Sequence, residues 1–247
     1  MLKVVIEDYI NHISPIDAPI FVVDTSFPED QEWYRTNWIS VEFDLLYRWH
    51  GLIPDAMEFG GQVYQPQEFM LNNSILIGHG LGEIIDAGSK QKAGKISLHN
   101  TPDFLLEAEY AAIKMGRDYR LRSYNEYRVQ FGLDEFDDFD DLTSDKNLES
   151  KLKELYGDID NLEFFVGLFA EEAGDDELFG ELMVTMVASD AFTQALTNPL
   201  LSKHVFNPGT FTKYGIKMIK KTGSLRDLVD RNVTNSSAVR VSFDQDS

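Results

Sequence analysis

Apolar residues return at helical spacing in one stretch of this chain after another, and no strand–helix–strand alternation runs between them. Ile39, Phe43, Leu46 and His50 are separated by four, three and four residues, which places them on one face of a helix. That helix is predicted from about Gln31 to Trp49, with Gly51 and Pro54 ending it. Phe104, Ala108, Ala111 and Met115 make a second stripe, in a helix from Asp103 to about Phe131 with a break near Gly116. A short helix is expected over 148–156, and Asp158 as the N-cap of a buried helix carrying Leu162, Phe165, Val166 and Phe169. A long helix is expected from about Asp175 to Thr197, where Asn198-Pro199 stops it. Prolines 15, 19 and 28 mark a loop, and 55–75 reads as loop with a short hairpin around GGQVYQ. The fold class is therefore mainly α.

Charge and composition remove several functions. With 22 Lys+Arg against 42 Asp+Glu the net charge is -20, so no basic stripe exists to grip nucleic acid through phosphates or to dock on an anionic leaflet. No cysteine is present, which excludes a disulfide framework, a thiolate metal site and a thiol nucleophile. No apolar run reaches the roughly 18 residues of a membrane span, and Glu7 and Asp8 interrupt any secretory-signal layout at the start. The expectation is a soluble chain with no signal peptide or transmembrane segment, its compartment undetermined.

Few motifs carry chemistry. GHGLGE (78–83) lacks the spacing of a phosphate-binding glycine loop and reads as a turn. The acidic stretch 134–145 lacks the glycine and glutamate of a calcium loop and reads as a solvated loop, and EEAGDDE (171–177) as a turn and helix start. Three glycosylation sequons, at Asn72, Asn232 and Asn235, read as surface polar residues. His50 is different, because it closes the first apolar stripe one turn after Tyr47. Two readings stand for it: a core histidine bonded to backbone, or an axial haem ligand, where one protein nitrogen suffices. A ligating imidazole also needs an acceptor on its other nitrogen, and RSYNEYR (122–128) offers candidates.

At YRWHGLIPD (47–55) the sequence resembles the animal-type haem peroxidase superfamily, and within it the cyclooxygenase-like branch of fatty-acid dioxygenases. VIEDYINHIS, FMLNNSILIGHG (69–80), SYNEYR (123–128), LYGDIDNLEF (155–164) and FGELMV (179–184) resemble segments of that branch in the same order, over about residues 1 to 233. The resemblance implies haem as cofactor, His50 as the proximal ligand of its iron, and Tyr47 as the radical tyrosine that takes hydrogen from a fatty acyl chain. Both side chains are expected on one helix face. Asn125 is implied as a hydrogen-bond partner of the histidine, and Tyr127 as linked to it through water. An ungapped match from Phe179 puts Ala191 where cyclooxygenases carry the serine that aspirin acetylates, so that susceptibility is not expected.

The resemblance also implies what to miss. The family's distal histidine and its partner lie well upstream of the proximal motif, and His12, the sole histidine before His50, falls in the IEDYINH stretch instead. Residues 1–233 are thus expected to be the C-terminal portion of a haem peroxidase/dioxygenase domain, and 234–247 a polar tail that frays. The functional expectation is a haem-dependent peroxidase or fatty-acid dioxygenase carrying the proximal ligand and radical tyrosine but lacking the distal histidine. Peroxide and a polyunsaturated fatty acid would be substrates of the intact enzyme. The alternative is a non-enzymatic helical haem-binding or interaction remnant, which needs a partner chain, such as an upstream distal half, or self-association to cover its apolar face.

Overall fold

The computed structural model describes residues 2–13, 39–174, 177–196, 198–202 and 204–243, which divide between two compact units. One unit comprises Trp38–Ile53 and Gly94–Ala191; the other comprises Met1–Asn37, Pro54–Ala93 and Phe192–Ser247. The first holds the candidate residues and is built of helices α1 (Val41–Leu46), α2 (Leu106–Asp118), α3 (Tyr124–Gln130), α4 (Lys146–Tyr156), α5 (Phe164–Ala170) and the part of α6 (Glu181–Leu196) up to Ala191.

Local chemistry sets most of these boundaries. Ser40 caps α1 by accepting from the Phe43 amide at 3.1 Å, and Ser123 and Glu126 form a reciprocal capping box at the start of α3. Asp145 caps α4 through the amides of Asn147 and Leu148, and Gly157, at φ 75°, ends it. The sequence of α5, FFVGLFA, is apolar on nearly every side, as a helix enclosed by its neighbours must be. Gly167 in its middle faces the Tyr124 ring, where an added Cβ would sit 2.2 Å from a ring carbon. Only a residue without a side chain lets α3 and α5 approach this closely. Leu45, Tyr124, Phe139, Leu162, Phe164, Leu168, Phe179, Leu182 and Met183 are all at most 1% exposed. Each such burial stabilises by roughly 1.5–3 kcal/mol, so this unit supplies a core of its own.

In the other unit, β1 (Met57–Phe59) and β2 (Gln62–Tyr64) form the expected hairpin, antiparallel, with Gly60 and Gly61 at φ 58° and 73° in the turn. Helices Asn73–His79 and Leu81–Gly88 meet at Gly80, φ 81°, so GHGLGE is a helix–helix junction rather than a simple turn.

Several expectations are corrected. The helix expected over 31–49 is a helix only from Val41 to Leu46, with 31–38 outside the described residues. Ile39 is 72% exposed and lies off any buried stripe. The cause of the early stop is visible: the Trp49 indole Nε1 donates to the Leu46 carbonyl at 2.9 Å. A continuing helix would have given that carbonyl to the amide of His50. The second helix breaks after Asp118, two residues past Gly116, through Arg120 at φ 55°. The acidic stretch 134–145 is not merely solvated, since Asp138 caps a short helix, Phe139–Leu142, whose Phe139 and Leu142 are buried. The helix expected from Asp175 begins at Glu181, with 175–176 outside the described residues. The tail expected to fray from residue 234 is held through Phe243: Arg226 donates to the carbonyls of Val239 and Ser236 at 2.7 and 2.6 Å, and Asp86 accepts from the Arg240 amide. Residues 244–247 lie outside the described residues.

One surface cluster has a pH signature. Arg117 grips Glu163 with two hydrogen bonds, 2.6 and 2.9 Å, and the Tyr156 hydroxyl donates to the same carboxylate at 2.8 Å. Arg117, opposed by burial and aided by Tyr156, holds the Glu163 carboxyl below its ordinary 4.5. A carboxyl depressed in the folded state adds stability that is complete above the unfolded value and is lost as pH falls through the folded one. Urea denaturation at about pH 6 and about pH 3 should therefore show a smaller acid loss for Glu163→Gln than for the wild type. With Arg117 66% exposed, the difference should be about 1 kcal/mol or less.

Candidate functional site

Tyr47 caps the C-terminus of α1, at φ -99° and ψ 19°, and His50 opens a separate 3-10 turn, His50–Leu52. The two side chains do not share a helix face, as the spacing alone had implied. Each has its own anchor.

The Tyr47 ring packs 4.9 Å from Phe43 and 5.3 Å from Trp49, and Trp49 lies 4.7 Å from Phe179. Its hydroxyl donates to Asp190 Oδ2 on α6 at 2.9 Å. Burial, then the Asp190 charge and this hydrogen bond, push the phenol well above its ordinary 10.0. The arrangement offers a phenolic proton an acceptor already in contact, with aromatic rings around the donor.

The His50 imidazole Nδ1 lies 2.9 Å from Glu109 Oε1, on the first turn of α2. The Thr101 hydroxyl donates to that same oxygen at 2.8 Å. Nδ1 is the nitrogen placed to donate to this carboxylate, which requires the Nδ1–H tautomer. Nε2 has no partner among the described residues. The backbone that presents the ring is clamped from the side. Gly94 donates its amide to Leu52 O at 3.0 Å, and Asn100 Nδ2 donates to Gly51 O and Lys95 O at 3.1 and 2.6 Å. A Cβ on Gly94 would lie 1.9 Å from Gly51 O, so the two segments pass in backbone contact.

The direct hydrogen bonds of Asn125 and Tyr127 go to residues other than His50. Asn125 is 1% exposed; its amide donates to Phe136 O and Asp160 Oδ1 at 3.0 and 2.8 Å, and its oxygen accepts from the Phe136 amide at 3.0 Å. Its two donors are thereby used in fixing the 134–145 segment and the Ile159–Asn161 turn on α3. Tyr127 donates to Glu42 Oε1 on α1 at 2.6 Å. Burial, then that carboxylate, push its phenol above the ordinary 10.0. The partners the sequence did not offer are Glu109, 59 residues from His50, and Asp190, 143 from Tyr47. Separation of that size carries no periodic signal, and Glu109 stands next to the apolar stripe of its helix rather than on it.

Residues 91–243 match the animal haem peroxidase family, and the chain belongs to that family. Among curated relatives, it is 36% identical over 234 residues to prostaglandin G/H synthase 2 of Bos taurus and 38% identical over 232 residues to prostaglandin G/H synthase 1 of Rattus norvegicus. Each alignment covers 94% of this chain and 38% of the relative, so the chain spans little more than a third of their length. The cyclooxygenase-like branch fits these relatives. Among solved structures, the fatty acid alpha-dioxygenase of Oryza sativa superposes with a TM-score of 0.72 at 23% identity, covering 80% of this chain and 38% of the other. Peroxidase A of Dictyostelium discoideum gives 0.67 at 18% identity, covering 84% and 43%. These two likenesses establish the shared, mainly helical fold.

Proposed function

We propose that the chain forms part of a haem-dependent peroxidase or fatty-acid dioxygenase of the cyclooxygenase-like kind, with His50 as proximal ligand of the haem iron and Tyr47 as the hydrogen-abstracting residue. The observation that carries this reading is the state of the His50 ring: Nδ1 is tethered to a carboxylate, while Nε2 has no partner among the described residues. A single imidazole so prepared fits a metal whose other ligands come from a porphyrin.

Bound haem would supply the peroxide-driven one-electron oxidation. This chain's residues do the rest. Tyr47 gives up an electron and passes its hydroxyl proton along the existing 2.9 Å hydrogen bond to Asp190, leaving a neutral phenoxyl radical. That radical takes a hydrogen atom from a fatty acyl C–H, which restores the phenol and leaves a carbon radical to combine with O₂. Phe43 and Trp49 exclude water from one side of the ring. Asn125 and Tyr127 serve the framework, through Phe136, Asp160 and Glu42. The acid–base pair that splits peroxide is assigned, on the family resemblance, to a distal motif that these residues do not match.

Haemin titration tests the ligand. The wild-type chain should develop the absorption spectrum of imidazole-ligated haem, and His50→Ala should lose it and regain it on addition of free imidazole. Identical axial signatures in both proteins would defeat the assignment.

A further inference from the structure

We infer that Glu109, steadied by Thr101, is the positioning residue of the proximal histidine: its carboxylate holds the Nδ1 proton of His50 and leaves Nε2 as the basic nitrogen. This rests on His50 being the iron ligand. It adds what sets the tautomer, the ring orientation and the basicity of that ligand.

The contact is built rather than incidental. The His50 and Glu109 side chains are 22% and 17% exposed, so water competes less for their hydrogen bond than it would at an open surface. Glu109 Oε1 receives two donors, His50 Nδ1 at 2.9 Å and Thr101 Oγ1 at 2.8 Å, so its rotamer is fixed from both sides. Glu109 also stands in the first turn of α2, where the helix dipole favours a negative charge. The histidine end is equally fixed, because Gly51 and Leu52 are bound to Asn100 and Gly94. Ring and carboxylate are thus carried by two segments that cannot slide past each other.

The charge on the acceptor matters chemically. A neutral amide or carbonyl oxygen on Nδ1 fixes a tautomer and little more. A carboxylate polarises the Nδ1–H bond more strongly and makes Nε2 a better electron donor. Toward iron, this strengthens the metal–nitrogen bond and favours the ferric state.

Two sets of measurements on the full chain decide the matter. Without haem, ¹⁵N NMR of the imidazole should show the Nδ1–H tautomer for His50 with a strongly downfield Nδ1 proton. Both features should vanish in Glu109→Ala and persist in Glu109→Asp. With haemin, Glu109→Ala should bind about 10- to 100-fold more weakly than wild type. In the ferrous protein, resonance Raman should place the iron–histidine stretch of Glu109→Gln at lower frequency, with a raised midpoint potential, and Glu109→Asp should recover part of both shifts.

An Nε2–H tautomer in the wild type, or an iron–histidine band and potential indifferent to Glu109→Gln while His50→Ala abolishes the band, would overturn the role of Glu109 and leave His50 as ligand. An unchanged band in His50→Ala, or no haemin uptake by the wild type, would overturn the ligand reading and this inference with it.

Discussion

Arg128→Ala is expected to cost about 3–5 kcal/mol of folding stability, because it strands a buried carboxylate. The Arg128 and Glu171 side chains are 4% and 5% exposed and 2.6 Å apart. Arg128 also donates through Nε to Asp134 O at 2.7 Å, reaches Glu181 at 2.8 Å, and stacks its guanidinium 3.8 Å above the Phe136 ring. Glu171 receives in addition the Leu182 amide, at 3.1 Å. The pair therefore joins α3, the end of α5 and the start of α6. Burial pushes the Glu171 carboxyl up, against the pull of the Leu182 amide and the Arg128 charge. Without Arg128, that carboxyl must take a proton or draw in water, and either costs stability. Urea denaturation followed by circular dichroism should show the loss. The double variant Arg128→Ala/Glu171→Gln should recover part of it, as expected of directly coupled residues. Glu181 is 62% exposed, so Glu181→Gln should cost no more than about 1 kcal/mol. A loss in Arg128→Ala as small as that in Glu181→Gln would mean the buried pair is not the anchor.

Tyr47→Phe should abolish peroxide-dependent oxygen uptake with a fatty acid while leaving haemin uptake intact. The assay is made with the haem-loaded chain in the presence of polypeptide supplying the distal residues. Asp190→Asn keeps the phenol but replaces its anionic acceptor with an amide, so uptake should slow by roughly 10²-fold or more, the usual worth of a positioned proton acceptor. The same substitution has a readout independent of haem. Burial raises the Tyr47 phenol most, and the Asp190 charge and hydrogen bond add to it, so removing Asp190's contribution should bring it part of the way down toward 10.0. The ultraviolet titration of each protein, less that of its Tyr47→Phe counterpart, isolates this one residue. Oxygen uptake that survives Tyr47→Phe would defeat the radical role, and an unmoved phenol in Asp190→Asn would defeat the proton route.

Much of the fold was legible because its signals are local. Gly60-Gly61 marked the hairpin, and Phe165 and Phe169 lay on a visible stripe. Other features depended on partners far away in the chain. The stripe Ile39–Phe43–Leu46–His50 has helical spacing, yet the helix ends at Leu46, because an indole three residues on takes the carbonyl needed for the next turn. Phe139 is buried inside a run of aspartates whose charge alone reads as solvated. Of the candidate site, Tyr47 and His50 were legible from one short motif. Glu109 and Asp190 were not, since nothing in a single sequence pairs a side chain with another 59 or 143 positions distant. Asn125 and Tyr127 were singled out by resemblance, and the structure gives both to other bonds.

The interruption between Tyr47 and His50 has an effect on how this motif can vary. On one continuous helix, any tilt or rotation would carry both rings together. Here the phenol is tethered to α6 through Asp190 and the imidazole to α2 through Glu109, with the Trp49 cap as a joint between them. In the roles proposed for them, electron donation by the histidine and proton release by the tyrosine would answer to separate levers. A change of acceptor on one tether alters its own residue and leaves the other where it was.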